Sequence, residues 1–195
     1  MADHYYTAEP QSAHREWQIE VQALGNRLRF TTDAGVFSRD GLDKGTELLL
    51  NALPPLAGRV LDLGCGWGAV GVSLAARYPG LDVVMTDINQ RAAALARRNL
   101  AANGVRAEVA EGDGFEAVEG PFDAIVTNPP IRAGKAVIYG LFAQARDFLA
   151  PGGALYIVIR KQQGAPSALK FLKETYGDAE IVDRGGGFWV IRAAR

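Results

Sequence analysis

The sequence has few of the cysteine and histidine residues that stabilise small secreted or metal-binding proteins. It contains one cysteine, Cys65, and two histidines, His4 and His14, among 195 residues. A single thiol cannot form an internal disulfide, and no Cys/His cluster with metal-ligand spacing occurs, so we expect no metal site. A chain of this length buries about 70 % of its unfolded surface on folding and therefore needs neither disulfides nor metal to fold.

Long apolar runs are also absent. The longest stretch without a charged residue is Leu63–Ala76, fourteen residues of which four are glycine. It is too short and too rich in glycine to cross a membrane as a helix. The first residues show neither the basic nor the apolar segment of a signal peptide. We therefore expect a cytoplasmic protein that does not associate with a membrane.

The chain has no excess of charge of either sign. It has 21 Lys and Arg against 22 Asp and Glu, a formal net charge of −1, which excludes a chain that is polycationic throughout. The charges are unevenly placed, however. Between residues 127 and 173 seven basic residues accompany one acidic residue, Asp147, so this segment carries +6 and the remainder −7. Such a segment suits the phosphates of a nucleic acid, or it is only the solvated face of helices.

A repeating alternation of short apolar strands and helical segments begins at Arg59. Breaks such as Pro79-Gly80 and Pro151-Gly152-Gly153 separate the segments, and the alternation predicts an α/β fold with a doubly wound, mostly parallel sheet. The last two strands flank three glycines, so the final strand should be antiparallel. The seven predicted strands are Val60–Asp62, Val83–Asp87, Ala107–Ala110, Phe122–Thr127, Ala154–Ile159, Ala179–Arg184 and Phe188–Ala193.

The first part of the chain follows a different pattern. Apolar and polar residues alternate over Trp17–Val21, and the alternation resumes after Gly25-Asn26. This predicts a β-hairpin with its turn at that dipeptide. We expect a single domain over residues 1–195, with a hairpin and loop extension at 1–45 and the catalytic core at 46–195.

A glycine-rich turn is the most informative motif. A buried strand ends at Asp62, and Gly64, Gly66 and Gly68 open the next helix. Glycines suit a sharp turn that a ligand approaches closely, and free N–H groups at a helix start attract polar or anionic groups. Asp87 closes the second strand, twenty-one residues after Gly66, where a carboxylate accepts hydrogen bonds from ribose hydroxyls. Together these residues predict a nucleoside cofactor rather than a plain strand–helix turn.

Two cofactors are compatible with this turn. Gly64-x-Gly66-x-x-Ala69 satisfies the dinucleotide fingerprint of a nicotinamide-dependent dehydrogenase. Asp62 instead favours S-adenosylmethionine, because a carboxylate suits the methionine ammonium group and repels a pyrophosphate. Asp113, just beyond the third strand, suits an adenine amino group. The Asn128-Pro129-Pro130 turn after the fourth strand points the same way.

The Asn128-Pro129-Pro130 turn also indicates the reaction. An exocyclic amine is a poor nucleophile because its lone pair is delocalised into the ring or carbonyl. The asparagine oxygen and a neighbouring backbone carbonyl can accept its two N–H bonds and so orient the lone pair at a sulfonium methyl group. The prolines fix the turn, and catalysis rests on positioning and charge stabilisation rather than on a strong base. Taken alone, an Asn-Pro dipeptide is a common turn.

These residues resemble the class I S-adenosylmethionine-dependent methyltransferases, in particular the small methyltransferase domain of the small-subunit ribosomal RNA guanine-N2 methyltransferases. The resemblance covers nearly the whole chain and implies a seven-stranded, Rossmann-like methyltransferase sheet with S-adenosyl-L-methionine as cofactor. The matching segments are His4-Tyr5-Tyr6, Gly35-Val36-Phe37-Ser38, Asp43-Lys44-Gly45-Thr46, Asp62–Gly68, Asp87-Ile88-Asn89 and residues 128–135.

The resemblance also implies roles for individual residues. The implied catalytic residues are Asn128, Pro129, Pro130 and Ile131. Cofactor contacts are implied for Phe37, Ser38, Asp43, Thr46, Asp62, Gly64, Cys65, Gly66, Asp87, Ile88, Asn89, Asp113, Gly114 and Asn128. Arg132 and Lys135 are expected to hold phosphates of an RNA substrate.

The chain departs from the family pattern at two points. Many amino-methyltransferases carry an aromatic residue after the two prolines, where the ring stacks on the target base. Here the residue is Ile131. In this respect the chain resembles a stand-alone branch of the family. The ribosomal RNA enzymes also have an additional N-terminal copy of the domain that helps to bind RNA, and 195 residues are too few to contain it.

The sequence thus predicts an enzyme that methylates an exocyclic amine, most of all N2 of guanine in ribosomal or other structured RNA. The same chemistry on a protein glutamine amide or on DNA adenine is an alternative, because those enzymes also use an Asn-Pro-Pro turn. A nicotinamide-dependent dehydrogenase and a non-catalytic RNA-binding module are further alternatives. Asp62, Asp87 and Asn128, all intact, argue against the RNA-binding module.

Overall fold

The computed structural model describes residues 13–36, 38 and 40–195. These residues form the strands β1 Glu16–Ala23, β2 Asn26–Asp33, β3 Arg59–Leu63, β4 Asp82–Asp87, β5 Glu108–Glu111, β6 Phe122–Thr127, β7 Leu149–Arg160, β8 Asp178–Gly185 and β9 Phe188–Ala194. The helices are α1 Lys44–Ala52, α2 Ala69–Arg77, α3 Gln90–Ala102, α4 Lys135–Phe148 and α5 Ala165–Tyr176.

Seven strands form one sheet in the order β5-β4-β3-β6-β7-β9-β8. Strands β3 to β7 are parallel, and β9 is antiparallel to both β7 and β8. This confirms the predicted sheet and its antiparallel last strand. The strand order reverses between the neighbours β3 and β6, and in open α/β sheets ligands bind beyond the carboxyl ends of the strands at such a point.

The sheet is covered on both faces, as the period of two along its strands requires. In β4, Val83 and Met85 belong to an apolar cluster that includes the hairpin, α1, α2 and α3. Val84, between them, belongs to a second cluster that includes α4 and α5. Alternate side chains of one strand therefore enter different cores, which explains why the central strands are apolar at nearly every position.

The N-terminal hairpin, β1 with β2, is attached to the domain by two asparagines of α3. The Asn99 amide accepts from Thr31 N at 2.7 Å and donates to Thr31 O at 3.0 Å. Asn103, one turn later, does the same with Arg29 N at 2.9 Å and Arg29 O at 2.7 Å. The two amides thus pair with the open edge of β2 as a neighbouring strand would, and they satisfy its backbone groups.

The hairpin turn lies one residue earlier than the sequence predicts. Ala23 pairs with Asn26, so Leu24 and Gly25 form the turn. Their φ angles are 49° and 82°, and a two-residue turn of this hand needs positive φ at both positions. The predicted Gly25-Asn26 turn is therefore wrong by one residue, because Asn26 is held in the β ladder.

The sequence pattern also failed to identify α5. Its buried residues Ala165, Ala168 and Leu172 recur at helical spacing, and glycines at 164 and 177 bound it. Two small alanines give a weak periodic signal in a segment that also carries several charges. The helix packs against β8 and β9 and completes the second face of the sheet.

Candidate cofactor and catalytic site

The loop between β3 and α2 owes its shape to glycine. Gly64, Gly66 and Gly68 have φ angles of 72°, 57° and 94°, a region that other residues rarely adopt. The N–H groups of Gly64 and Cys65 both donate to Thr86 O, at 2.8 and 2.9 Å. The loop is thereby fixed against the end of β4, where ligand groups can approach its backbone.

Two carboxylates lie beside this loop, Asp62 buried and Asp87 half-buried. Asp62, only 2 % exposed, accepts a hydrogen bond from Gly71 N at 2.8 Å, and Asp87 accepts from Gly66 N at 2.7 Å and Asn89 N at 2.8 Å. Burial, opposed by the Gly71 hydrogen bond and assisted by the charge of Asp87, raises the pKa of Asp62 to about 7. Burial also raises the pKa of Asp87. Within the described residues no ion pair offsets either charge, so the site favours a ligand that brings a cation and hydrogen-bond donors.

The Asn128 amide is held by residues at the start of α1. Its Nδ2 donates to Thr46 Oγ1 at 2.9 Å. The Thr46 hydroxyl in turn donates to Asp43 Oδ2 at 2.5 Å, so its oxygen is left as an acceptor for Asn128. Asp43 Oδ1 caps α1 by accepting from Gly45 N at 2.9 Å. Because the nitrogen end of the amide is engaged, Oδ1 is the end that a substrate can meet.

These groups line one cavity of about 650 Å³ beyond the carboxyl ends of the parallel strands. That volume is ample for a nucleoside cofactor. Of the predicted site residues it brings together Ser38, Asp43, Thr46, Asp62, Gly64, Cys65, Gly66, Asp87, Ile88, Asp113, Gly114, Asn128, Pro129, Pro130, Ile131 and Arg132.

Two predicted site residues within the described ranges, Asn89 and Lys135, are not among those lining the cavity. Asn89 is fully buried, caps α3 by accepting from Ala92 N at 3.1 Å and donates to Gly35 O at 3.1 Å. It therefore shapes the loop that carries Asp87 instead of facing a ligand. Lys135 is exposed, with its ammonium 5.0 Å from the centre of the Tyr139 ring. Phe37, like the predicted motif at residues 4–6, lies outside the described residues.

The cavity wall also contains the hydroxyl group of Thr86 and the thiol group of Cys65. Thr86 Oγ1 is the one buried side-chain oxygen or nitrogen in the described part of the chain without a hydrogen-bond partner. An unpaired buried hydroxyl costs folding free energy. Burial raises the pKa of the Cys65 thiol well above its usual value, which makes this thiol a wall residue and not a nucleophile.

The sequence reasoning missed several residues of the wall. Arg160 ends β7, Gln163 follows it, and Phe188 opens β9. Of these, Arg160 belongs to the basic segment at residues 127–173. Its place at the carboxyl end of a parallel strand was the available signal, because such positions line ligand sites in α/β folds. Phe188 gave no such signal, since it reaches the same edge only through the antiparallel direction of β9.

The described residues hold no group of three or more His, Cys, Asp and Glu placed to bind a metal ion. In the same ranges, none of the helices has the length and apolar character needed to span a bilayer.

The family model of the methyltransferase small domain matches residues 27–192. The chain belongs to this family. The match runs from β2 to β9 and so includes the glycine loop, the Asn-Pro-Pro turn and the cavity. The prediction of a methyltransferase is thereby confirmed.

Relatives of two lengths are similar to the chain. A Bacillus subtilis protein named YbxB, described as uncharacterized, is 37 % identical over 202 aligned positions, which cover all of both chains. Ribosomal RNA small subunit methyltransferase C of Salmonella paratyphi B is 38 % identical over 189 positions. This alignment covers 94 % of the present chain but 54 % of the enzyme. The chain therefore spans about half the length of the ribosomal RNA methyltransferases that it matches.

Solved structures agree with this grouping. T. thermophilus RsmC, a 16S ribosomal RNA N2-guanine methyltransferase in complex with AdoMet and guanosine, superposes with a TM-score of 0.83 at 29 % identity. It covers 95 % of this chain, which covers 52 % of RsmC. The ribosomal protein L11 methylase of Lactobacillus delbrueckii has a TM-score of 0.67 at 24 % identity, covering 84 % of this chain and 83 % of its own, and shows the fold alone.

Proposed function

We propose that the chain transfers the methyl group of S-adenosylmethionine to an exocyclic amine, N2 of guanine in ribosomal or other structured RNA. The observation that carries the proposal is the Asn128 amide, which lines the cavity and whose nitrogen is bound by Thr46 at 2.9 Å, which leaves its oxygen as the acceptor for a substrate. The names of the half-matched relatives and of the T. thermophilus enzyme support guanine in 16S ribosomal RNA as the target.

The cavity residues fit S-adenosylmethionine, which when bound supplies an electrophilic methyl group on a sulfonium centre. Asp62 would hold the methionine ammonium group, because an ionised carboxylate with pKa raised by burial gains most from a cation. Asp87 would hold the ribose hydroxyls, with Ile88 beside it. Asp113 and Gly114 would border the adenine ring.

The amine would be oriented by two acceptors of the Asn128-Pro129-Pro130 turn. Asn128 Oδ1 would accept one N–H of the guanine amino group, and the carbonyl oxygen of Pro129 the other. Holding both N–H bonds in this way turns the nitrogen lone pair out of conjugation with the ring and towards the methyl group. The N–CH3 bond would form as the S–CH3 bond breaks, S-adenosylhomocysteine would leave, and the extra proton on nitrogen would pass to water. Thr46 and Asp43 would act as positioning residues here, since they fix which end of the amide is presented.

Substrate binding would rest on the basic segment around the site. Arg132 lines the cavity and would contact a phosphate next to the target nucleotide, with Lys135 further out on α4. A paired target base must first leave its stack.

We also propose that residues 1–195 act as one methyltransferase domain, with 1–45 as its extension and 46–195 as the catalytic core. Action on ribosomal RNA would place the enzyme in the cytoplasm.

The test is incubation of the protein with labelled S-adenosylmethionine and ribosomal RNA from a strain that lacks the gene, followed by nucleoside mass spectrometry. We expect labelled N2-methylguanosine. Parallel incubations with DNA and with protein test the alternatives, and label in N6-methyldeoxyadenosine or in a glutamine side chain would identify one of those substrates instead.

Asn128→Ala should abolish this transfer while cofactor affinity, measured by calorimetry, changes less than threefold. Asn51→Ala is the matched control, because Asn51 is exposed at the end of α1. Loss of cofactor binding in Asn128→Ala would show that Asn128 holds the cofactor and not the amine.

A further inference from the structure

The residue after the two prolines leaves the site without the aromatic ring that a flat base needs there. Ile131 lines the cavity and packs partly against the core beneath α4 and α5. It offers apolar contact but no π face. A guanine bound at Asn128 therefore requires a planar partner elsewhere in the wall, since bases that leave their stack are held on aromatic or guanidinium planes.

One aromatic–arginine pair occupies the same edge of the sheet. Arg160 and Phe188 are direct partners in the antiparallel ladder of β7 and β9, and the Arg160 guanidinium carbon lies 4.8 Å from the centre of the Phe188 ring. Both residues line the cavity. Phe188 is half-buried and packs partly against the first apolar cluster, and Arg160 is exposed, so the pair lies in the cavity wall between the core and solvent.

The ring also contacts the start of α1, which carries the residues that hold the Asn128 amide. A Cβ atom built on Gly45 would stand 2.9 Å from Phe188 Cε1, so the ring packs directly on the backbone of the α1 start. The neighbours Asp43 and Thr46 are the residues that hold the Asn128 amide. The absence of a side chain at Gly45 is what allows the ring to approach this corner.

We propose that Phe188, together with Arg160, is the stacking platform for the target guanine. This inference rests on the proposed function. Guanine presents a large π face, and an aromatic ring or a guanidinium binds that face without reading its edge. The edge, with its N2 amino group, then remains for Asn128 and Pro129. The face of the base would thus stack on side chains of β7 and β9, and its edge would form hydrogen bonds with the turn after β6.

The experiment measures binding of guanosine to the whole protein with S-adenosylhomocysteine at saturation, so that no methyl transfer occurs. Loss of one stacking contact is expected to weaken guanosine binding about 5- to 150-fold in Phe188→Leu. Phe188→Tyr, which keeps the ring, should stay within threefold of the original. Phe171→Leu is the matched control, because Phe171 is also half-buried but packs on Tyr139 outside the cavity.

Two readouts separate stacking from a merely structural role. Phe188→Leu should raise KM for RNA while S-adenosylhomocysteine affinity and melting temperature stay close to those of Phe171→Leu. Phe188→Trp adds a spectroscopic signature, since stacking on guanine quenches indole fluorescence beyond the quenching seen in the unmodified protein.

The outcomes distinguish this inference from the function on which it rests. Methyl transfer to guanine with an unchanged KM in Phe188→Leu would overturn the platform and leave the proposed function standing. Guanosine binding that depends on Phe188, without methyl transfer to guanine in any RNA, would support the platform and refute the proposed function. Absence of both binding and transfer in the unmodified protein would overturn both.

Discussion

Replacing Thr46 with valine tests how the Asn128 amide is oriented. Valine has the same shape as threonine but lacks the hydroxyl that accepts from Asn128 Nδ2 at 2.9 Å and donates to Asp43 Oδ2 at 2.5 Å. Thr46 is 5 % exposed, so water cannot easily replace the lost partner. Without it, Asn128 Nδ2 keeps only its longer contacts with Asp43 Oδ2 and Oδ1, at 3.4 and 3.5 Å, so the orientation of the amide is less firmly held.

The size of the effect follows from the hydrogen bonds removed. A neutral hydrogen bond contributes about 0.5–1.5 kcal/mol, and one to a charged group about 1.5–3 kcal/mol. The bond to Asn128 lies between these cases, because the Thr46 hydroxyl is polarised by the Asp43 carboxylate. If about 1.4–2.7 kcal/mol of orientation is lost in the transition state, kcat falls about 10- to 100-fold. We expect a loss of folding stability of about 1–3 kcal/mol from the unpaired groups.

The assay is steady-state methyl transfer with both substrates varied, together with thermal unfolding. Thr46→Val should lower kcat while KM for S-adenosylmethionine changes less than threefold, and Thr46→Ser, which restores a hydroxyl, should recover most of the activity. The opposite result, a raised KM for the cofactor with kcat unchanged, would refute the positioning role. It would support the cofactor contact that the family resemblance implies for Thr46.

Two other perturbations probe the charges and the packing of the site. Burial raises the pKa of Asp62 to about 7 in the folded protein. Between about pH 4 and 7 the folded protein therefore keeps a proton on Asp62 that the unfolded chain has released. The contribution of Asp62 to the free energy of unfolding declines as the pH rises through this range and is constant above it. Affinity for the cofactor should have the opposite pH dependence and weaken as the pH falls below 7, since only the ionised carboxylate pairs with an ammonium group. Calorimetry between pH 5.5 and 8.5 should show this dependence. Asp62→Asn should abolish the pH dependence of the affinity and raise the melting temperature at pH 8. Asn99→Ala removes three hydrogen bonds of a fully buried amide, to Thr31 N, Thr31 O and Trp67 O, and should cost about 2–4 kcal/mol of unfolding free energy. Amide hydrogen exchange in β2 should accelerate with it, and unchanged protection of Thr31 would contradict the anchoring role of α3.

The methyltransferase family could be predicted from local sequence because the relevant signals are short. The glycines at 64, 66 and 68 are required by positive φ angles within one loop. Asp62, Asp87 and Asn128 each end or follow a parallel strand, and parallel strands bring their carboxyl ends to one edge. Each of these motifs is therefore defined by adjacent residues. The α/β alternation predicts a parallel sheet, which brings the motifs together at one edge.

The roles of other residues depend on contacts that no local pattern encodes. The motif predicts cofactor contacts for Asp43 and Thr46. It does not show that their side chains also contact Asn128, more than eighty residues away. Asn89 reads as a cofactor contact and instead caps α3. Asn99 and Asn103 look like polar residues on a helix, and only their approach to β2 shows that they replace a neighbouring strand.

The sequence by itself determined that this is an α/β methyltransferase and which residues carry the glycine turn, the paired carboxylates and the Asn-Pro-Pro turn. Backbone dihedrals and hydrophobic period are local properties, so they can be recognised without coordinates. Only the tertiary structure decided what surrounds them. Phe188 reaches the mouth of the cavity because β9 runs antiparallel beside β7 and sets it opposite Arg160, and such a pairing depends on how the whole sheet closes.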